Sequence, residues 1–582
     1  MRLWALLLLC LTCAASAQAP TLSPELQLCL MHLRDGERER LLAAQGPIDE
    51  QPLYRLELEL DDKARRVHGR VQIVRTARDR EIPVLYLRVT PNAQRPQVKL
   101  SNATVNGQPA VMEQPEPTLY RVTLDPAIAP GAQAIVEVRI DATVPELPAG
   151  SATLMGAMAN AQGPRDYGAF AASPDVFVLT GILPQLPPED AAGIPWDGPS
   201  GLGDLSTAEP AQVLATLVVP AGYTALASGV ALGEVPQKDG RVRFSYGAAA
   251  VRDFPVVIAR GYEKKSESVG DITVESWYAK QDAEGGALVL ENARSVLEAL
   301  QKRLGPLPHR TLRMIEVPLT GGAGGMEFSG AALVSSALYR ALSNPSQAIG
   351  LPPGFDQMFA AMGQGQGGGS DLRSLMRETL EFTVAHELAH QYFAELVGND
   401  PVTEPVVDEA LAQYTALLYV EWKHGQAAAA RAREQQLVGP YHFYRLGGGE
   451  DGPAARPTAQ FAGASEYAAL VYGKAPLLHD AERRLVGDAA FYKALRAYVD
   501  QYRYRWSCLA CFTGVLAKQR PSRAGALTGL RERWWEQAHG DEDLGPPSVN
   551  AMLRGMGVGL DTLDPDTARL MQEVMKQLMG EQ

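Results

Sequence analysis

Phe382-Thr383-Val384-Ala385-His386-Glu387-Leu388-Ala389-His390 is the stretch whose reading decides the fold. Residues four apart share one face of a helix, so the imidazoles of His386 and His390 can reach one metal about 2 Å away. Glu387, one position on from the first histidine, can take a proton from a water held at that metal. Phe382, Val384, Leu388 and Phe393 make the helix apolar around the pair, as a site buried in a cleft requires. The competing reading is a helix that carries two solvent or core histidines. A catalytic zinc needs a third protein ligand and an open fourth position. Glu409 follows His390 after 18 residues, on the next predicted helix, Val407-Asp408-Glu409-Ala410-Leu411-Ala412-Gln413-Tyr414. The connection Val397 to Pro405, with Gly398, Pro401 and Pro405, turns the chain back so that the two helices face each other. His386, His390 and Glu409 are therefore the expected ligands of one zinc ion (Zn2+) per chain.

Upstream the apolar period is two. Leu56, Leu58 and Leu60 alternate with Glu57 and Glu59; Val136, Val138 and Ile140 alternate with Glu137 and Arg139; Val242, Phe244 and Tyr246 repeat the pattern. Side chains on a strand point to opposite faces in turn, so residues 50–264 read as an antiparallel β domain. Asn106-Gly107 and Asp239-Gly240 supply hairpin-type turns. Beyond 265 the period becomes helical. Leu290, Ala293, Leu297, Leu300 and Leu304 share a face, and Gly305-Pro306 ends that helix. A strand over Leu312 to Val317 runs into Gly321-Gly322-Ala323-Gly324-Gly325-Met326-Glu327-Phe328. No Gly-Lys-Ser/Thr follows these glycines, which removes a phosphate-loop reading. Residues 341–370 are rich in Gly, Pro and Gln and read as a mobile insertion. Helices are expected at about 371–396, 406–424, 465–485 and 489–504, with a short helical tail over 541–582, its helix near 563–579. At 582 residues the chain is too long for one core. The expected architecture is multidomain: an N-terminal antiparallel β domain, then a mainly α domain over 265–540.

Met1-Arg2, the apolar run Leu3 to Ala15 and the small residues to Ala19 read as a signal peptide over about 1–17, followed by a leader segment 18–49. The mature protein is then expected outside the cytoplasm, periplasmic or secreted. No later segment reaches about 18 uninterrupted apolar residues, so no membrane span is expected after signal removal. A net charge of −13 argues against nucleic acid or an anionic membrane as partner. Outside the signal remain Cys29, Cys508 and Cys511. Cys508-Leu509-Ala510-Cys511 has the spacing of a redox pair, half a zinc site or a local disulfide. No second pair completes a zinc site and no thioredoxin-like pattern surrounds it, so a structural disulfide is expected, with Cys29 left over and buried. Asn102-Ala103-Thr104 fits a glycosylation acceptor, a pattern common by chance. His309, His424, His442 and His479 lack paired spacing and read as structural.

The pentad, the 18-residue gap and the ligand Glu409 together make the sequence resemble the aminopeptidase N family of gluzincin metallopeptidases. The resemblance extends to the family's Gly-x-Met-Glu-Asn loop, matched by Gly324-Gly325-Met326-Glu327-Phe328 with Phe in place of Asn. It extends also to Tyr-x-Lys-Gly, matched by Tyr472-Gly473-Lys474-Ala475 with Ala in place of Gly. It covers about residues 50–540 and implies a thermolysin-like catalytic domain over 265–540; the large C-terminal helical domain of many members is expected to be missing. The resemblance implies a peptide substrate and three further roles. Glu387 would pass its proton to the leaving amine. Tyr472 would stabilise the oxyanion, with Tyr467 lining the pocket. Glu327, in the loop Gly324 to Phe328, would hold the free amino group of the substrate's first residue. Lys474 either orients the tyrosine or is solvated. The function implied is zinc-dependent removal of N-terminal residues from peptides. Its competitors are an endopeptidase or non-peptide zinc hydrolase on the same site, and an inactive peptide-binding relative.

Overall fold

The computed structural model describes residues 22–148, 153, 167–204, 207–343, 372–555 and 569. The expected signal segment, residues 344–370 of the expected insertion, and the expected tail helix apart from Arg569 lie outside the described residues. Among the described residues no helix is long and apolar enough to cross a membrane.

The alternating segments form strands. In Leu53–Asp61, Leu56, Leu58 and Leu60 are buried while Glu57 and Glu59 face solvent. This strand sits in an eight-stranded sheet with spatial order Val230–Pro236, Val242–Val251, Ala211–Val219, Leu53–Asp61, Arg66–Thr76, Gln133–Thr143, Val98–Val105 and Gln108–Pro109. Its inner face shares one apolar core with a three-stranded and a four-stranded sheet, through Val71, Val138, Leu85, Val122, Phe177 and Ile258. Asn106 and Gly107, both at positive φ (50° and 79°), make the expected tight turn. One expectation needs correction: Leu53–Asp61 runs parallel to Ala211–Val219. A parallel pair needs a long crossover, and most of the β unit lies between these two strands. Alternation reports which face is buried and is blind to strand direction.

The second unit opens on the strand Tyr262–Val269 of a five-stranded sheet, followed in space by Ile272–Ala279, Thr311–Val317, Ala331–Ser335 and Gly325–Phe328. Thr311–Val317 lies between two parallel neighbours and is buried at all seven positions, as a central parallel strand should be. The helix Ala283–Leu304 covers this sheet with the predicted face of Leu290, Ala293, Leu297, Leu300 and Leu304, and ends at Gly305 (φ 95°). Gly325–Phe328 is an edge strand, paired among the described residues only with Ala331–Ser335.

Helices supply the rest. The metal helix Leu372–His390 and the second helix Val406–His424 lie side by side. The first stops at His390 rather than 396, because Ala394 at φ +112° turns the chain back and Phe393 bridges to Val397. The helix expected over 465–485 is three pieces: Ala464–Tyr467, a π-helical turn Ala468–Lys474, and Leu477–Val486. Pro476, without an N–H, breaks the ladder between the last two. The fourth expected helix is Asp488–Tyr502.

Two buried arginines tie the units together. Arg313 donates to the carbonyls of Ala227 (2.7 Å) and Gly229 (2.5 Å) and to Glu275 (2.8 Å). Arg252 reaches the other way, as described below. The N-terminal helices Pro24–Leu30 and Glu37–Gln45 fill the seam. Glu37 is buried and accepts from Arg503 and from the Tyr504 hydroxyl, both at 2.9 Å. Cys508 and Cys511 are joined by a disulfide. Cys29 is free and buried, its thiol donating to Val213 O at 3.3 Å.

Candidate active site

The helical spacing of the pentad brings three atoms to a point. His386 Nε2 and His390 Nε2 lie 3.1 Å apart, and Glu409 Oε2 lies 3.4 Å and 3.3 Å from them. His390 Nδ1 is 2.9 Å from Phe393 O, so Nδ1 carries the proton and Nε2 is left with its lone pair. Glu409 Oε2 is buried with no hydrogen-bond donor of its own. Three lone-pair atoms so close repel one another unless a cation lies between them. The edges of a tetrahedron with zinc–ligand bonds of about 2 Å are about 3.3 Å, so this donor set fits zinc. Burial alone would raise the Glu409 pKa; the two imidazoles beside it, His386 and His390, outweigh burial and hold the carboxylate at about 2.

A cleft of about 380 Å³ opens beside these atoms, with His386 in its wall. Glu387 lines it, and burial pushes its carboxyl up to about 8. A cation on the neighbouring ligands favours the ionised form, which a base requires. Gly324, Gly325, Met326, Glu327 and Phe328 form one wall. A Cβ on Gly325 would come within 2.3 Å of Glu387 Oε1, so only glycine lets the strand run this close to the base. Phe328 is buried in the apolar layer beneath the strand with Ile315 and Leu333. Glu327 Oε, His390 and Asp408 have ligand atoms within 4.8 Å of one another, which puts the expected amine anchor beside the metal ligands.

Tyr472 and Tyr467 line the opposite side, their rings edge to face at 5.7 Å. The Tyr472 hydroxyl donates to Glu409 Oε1. The Tyr467 hydroxyl is buried without a partner, and a Cβ on Gly203 would lie 2.5 Å from it. Lys474 neither touches Tyr472 nor meets solvent. It is fully buried and donates to Asp451 (2.8 Å) and to the carbonyls of Gly452 (2.9 Å) and Gln537 (2.9 Å). Its three N–H groups are thus spent on pinning the π-helical turn to the chain around 451 and 537. The other histidines are structural: His309 stacks on His32, His424 pairs with Glu381, and His479 with Glu482.

Several residues at the site carried no signal in the sequence. Asp204, on an irregular stretch of the β unit, lines the cleft and contacts both Glu327 and Asp408. Burial, then Asp204, raises both Glu327 and Asp408 well above the usual carboxylate range. Asn399 Nδ2 donates to Asp408 Oδ1 at 2.8 Å and fixes that side chain. Only Asp408, next to a ligand on a predicted helix, could have been suspected; Asp204 and Asn399 stand in loops without period. The result is a cleft crowded with carboxyl groups, which favours cationic occupants.

Residues 371–519 match the model of the peptidase family M1 domain. No curated protein sequence matches the chain. Among solved structures, an M1 zinc metallopeptidase from Deinococcus radiodurans is 18% identical, over 84% of this chain and 94% of that one, with a TM-score of 0.55. A variant of it bound to a Tyr-Ser-Ala substrate gives the same figures: 18% identity, 84% and 94% coverage, TM-score 0.55. A variant of a two-domain M1 zinc metallopeptidase bound to L-arginine is 18% identical over 85% and 95% of the two chains, with a TM-score of 0.56. Residues 371–519 are thus similar to the peptidase family M1 domain, and the chain that carries them has the fold of the M1 zinc metallopeptidases.

Proposed function

We propose that the protein is a zinc-dependent aminopeptidase that removes single N-terminal residues from peptides. The observation that carries this reading is the His386–His390–Glu409 triangle with, in the cleft beside it, the carboxyls of Glu387 and Glu327. Zinc held by the triangle would polarise the scissile carbonyl and lower the pKa of a bound water to about 7. Glu387 accepts the proton of the attacking water and delivers it to the leaving amine. Tyr472 turns its hydroxyl from Glu409 to the carbonyl oxygen as negative charge grows there. The free edge of Gly325–Phe328 lies along the cleft and can pair with an extended substrate. Glu327, with Asp204 and Asp408 against it, pairs with the α-ammonium and so sets the cut after the first residue.

The deciding experiment compares aminoacyl amides with their N-acetylated forms. An ammonium and a carboxylate that lose each other in a desolvated site cost about 2–5 kcal/mol. Acetylation should then lower kcat/KM by about 30- to 1000-fold or more. Glu327→Ala should nearly abolish that preference. Wild-type protein that cuts blocked peptides internally as well as free ones would make it an endopeptidase on the same metal site.

We also propose export, on the charged start, apolar run and small residues of 1–19. Finding the active protein in the cytoplasmic fraction with Met1 intact would contradict it.

A further inference from the structure

We propose that Glu395 is a positioning residue that, through Ser329, sets the distance of Glu327 from the metal ligands; this rests on the reading of Glu327 as the amine anchor. Glu327 stands on an edge strand of four residues that, among the described residues, pairs on one side only. Such a strand holds its register weakly by itself. Immediately after it, Ser329 is wholly buried, with its N–H and its hydroxyl both engaged. Its N–H donates to Asp253 Oδ1 (2.9 Å), its Oγ accepts from Arg252 N (2.9 Å), and its hydroxyl donates to Glu395 Oε2. The N–H of Glu395 donates to His390 O at 3.2 Å. One connected path therefore runs from a metal-binding residue, through Glu395 and Ser329, to the strand of Glu327.

The β unit frames that path. Arg252 donates from Nε to Glu395 O (3.0 Å), from Nη1 to Ala208 O (2.9 Å) and from Nη2 to Arg505 O (3.1 Å), and its guanidinium lies 4.3 Å over the Trp506 ring. The carboxyls of Asp253 and Glu395 touch each other. Ala394, just before Glu395, sits at φ +112°, a conformation L residues rarely adopt. Such strain persists where surrounding contacts over-determine it, and here those contacts are the ones Glu395 makes. Gln391, just past the end of the metal helix, adds a tie that does not involve the β unit, accepting from Gly330 N (2.9 Å) and donating to Phe328 O (3.0 Å). Glu395 is the tie that joins metal helix, substrate strand and β unit at one point.

The test uses zinc-loaded, full-length Glu395→Gln and Glu395→Ala. Glutamine keeps an oxygen for the Ser329 hydroxyl and offers an N–H to Asp253; alanine offers neither. A misplacement of about 1 Å can cost about 10²-fold, so Glu395→Ala should cut the free-over-blocked preference by about 10- to 100-fold, chiefly through KM, with zinc content unchanged. Glu395→Gln should stay within about threefold of wild type. An unchanged preference in Glu395→Ala, or an equal loss in Glu395→Gln, would overturn the proposal, the latter by showing that charge rather than position matters. Should Glu395→Ala lose its zinc or fold, Ser329→Ala carries the same expectation. Amide hydrogen exchange supplies a readout independent of activity: residues 325–330 should exchange faster in Glu395→Ala (or Ser329→Ala) and unaltered in Glu395→Gln. Equal protection in all of them would refute the proposal. Wild-type enzyme indifferent to N-acetylation would instead refute the aminopeptidase reading.

Discussion

Tyr472 donates its hydroxyl to Oε1 of Glu409, while Oε2 of the same carboxylate lies 3.3 Å from His390 Nε2 and 3.4 Å from His386 Nε2. The phenol is thus tied to a metal-binding group and stands at the lip of the cleft, on a π-helical turn of the kind often found at functional sites. Moving that hydroxyl to a developing oxyanion costs one hydrogen bond and makes another. Tyr472→Phe should lower kcat by about 10²–10³ with KM little changed and zinc retained. Unchanged kcat would reduce Tyr472 to packing against His386, whose ring centroid is 5.8 Å away.

Metal binding and proton transfer should separate by mutation. Glu409→Ala removes one corner of the ligand triangle and should leave the purified protein with little zinc. Glu387→Gln keeps all three corners and should bind one zinc per chain while losing turnover, because an amide cannot accept the proton. Metal analysis of the two variants side by side decides this. A zinc-free Glu387→Gln would make Glu387 a ligand and contradict the assignment.

Gly325→Ala tests how closely the substrate strand approaches the base. The added methyl would stand 2.3 Å from Glu387 Oε1, so the carboxylate must swing aside. The end of a Glu side chain moves cheaply, and the fold should survive. Activity should drop by about 10²-fold or more, since a displaced base no longer meets its proton. Normal kcat with a normal melting temperature would show that the carboxylate has a second productive position.

The seam between the units should weaken in mild acid. His309 is buried against His32, ring centroids 4.1 Å apart and planes 5° apart. Burial lowers the His309 pKa to about 4, and burial, His309 and Arg313 lower that of His32. An unfolded histidine titrates near 6.5. Between about pH 6.5 and 4 the unfolded chain therefore binds protons that the folded chain refuses, and stability falls as pH falls through that window. Urea unfolding at steps from pH 7.5 to 4.5 should show the loss, and His309→Gln should show a shallower one. Parallel curves for the two proteins would remove His309 as a source.

The amino-acid sequence by itself determined whatever depends on local period. Spacing of four put His386 and His390 on one helix face, and the next helix in line carried Glu409; the alternation around Leu56, Leu58 and Leu60 fixed which face of the first strand is buried. These follow from backbone geometry that every helix or strand shares, so residue type and interval suffice. Motif likeness added Glu327 and Tyr472, both of which line the cleft. Tertiary structure alone decided the rest. The parallel pairing of Leu53–Asp61 with Ala211–Val219, the ammonium of Lys474 buried on Asp451, and the meeting of Asp204, Asp253 and Glu395 around the strand of Glu327 join residues far apart in the chain. Those partners stand in loops, where no periodicity marks a side chain. What brings them together is the packing of one unit on another, and burial then obliges each polar group to find its partner.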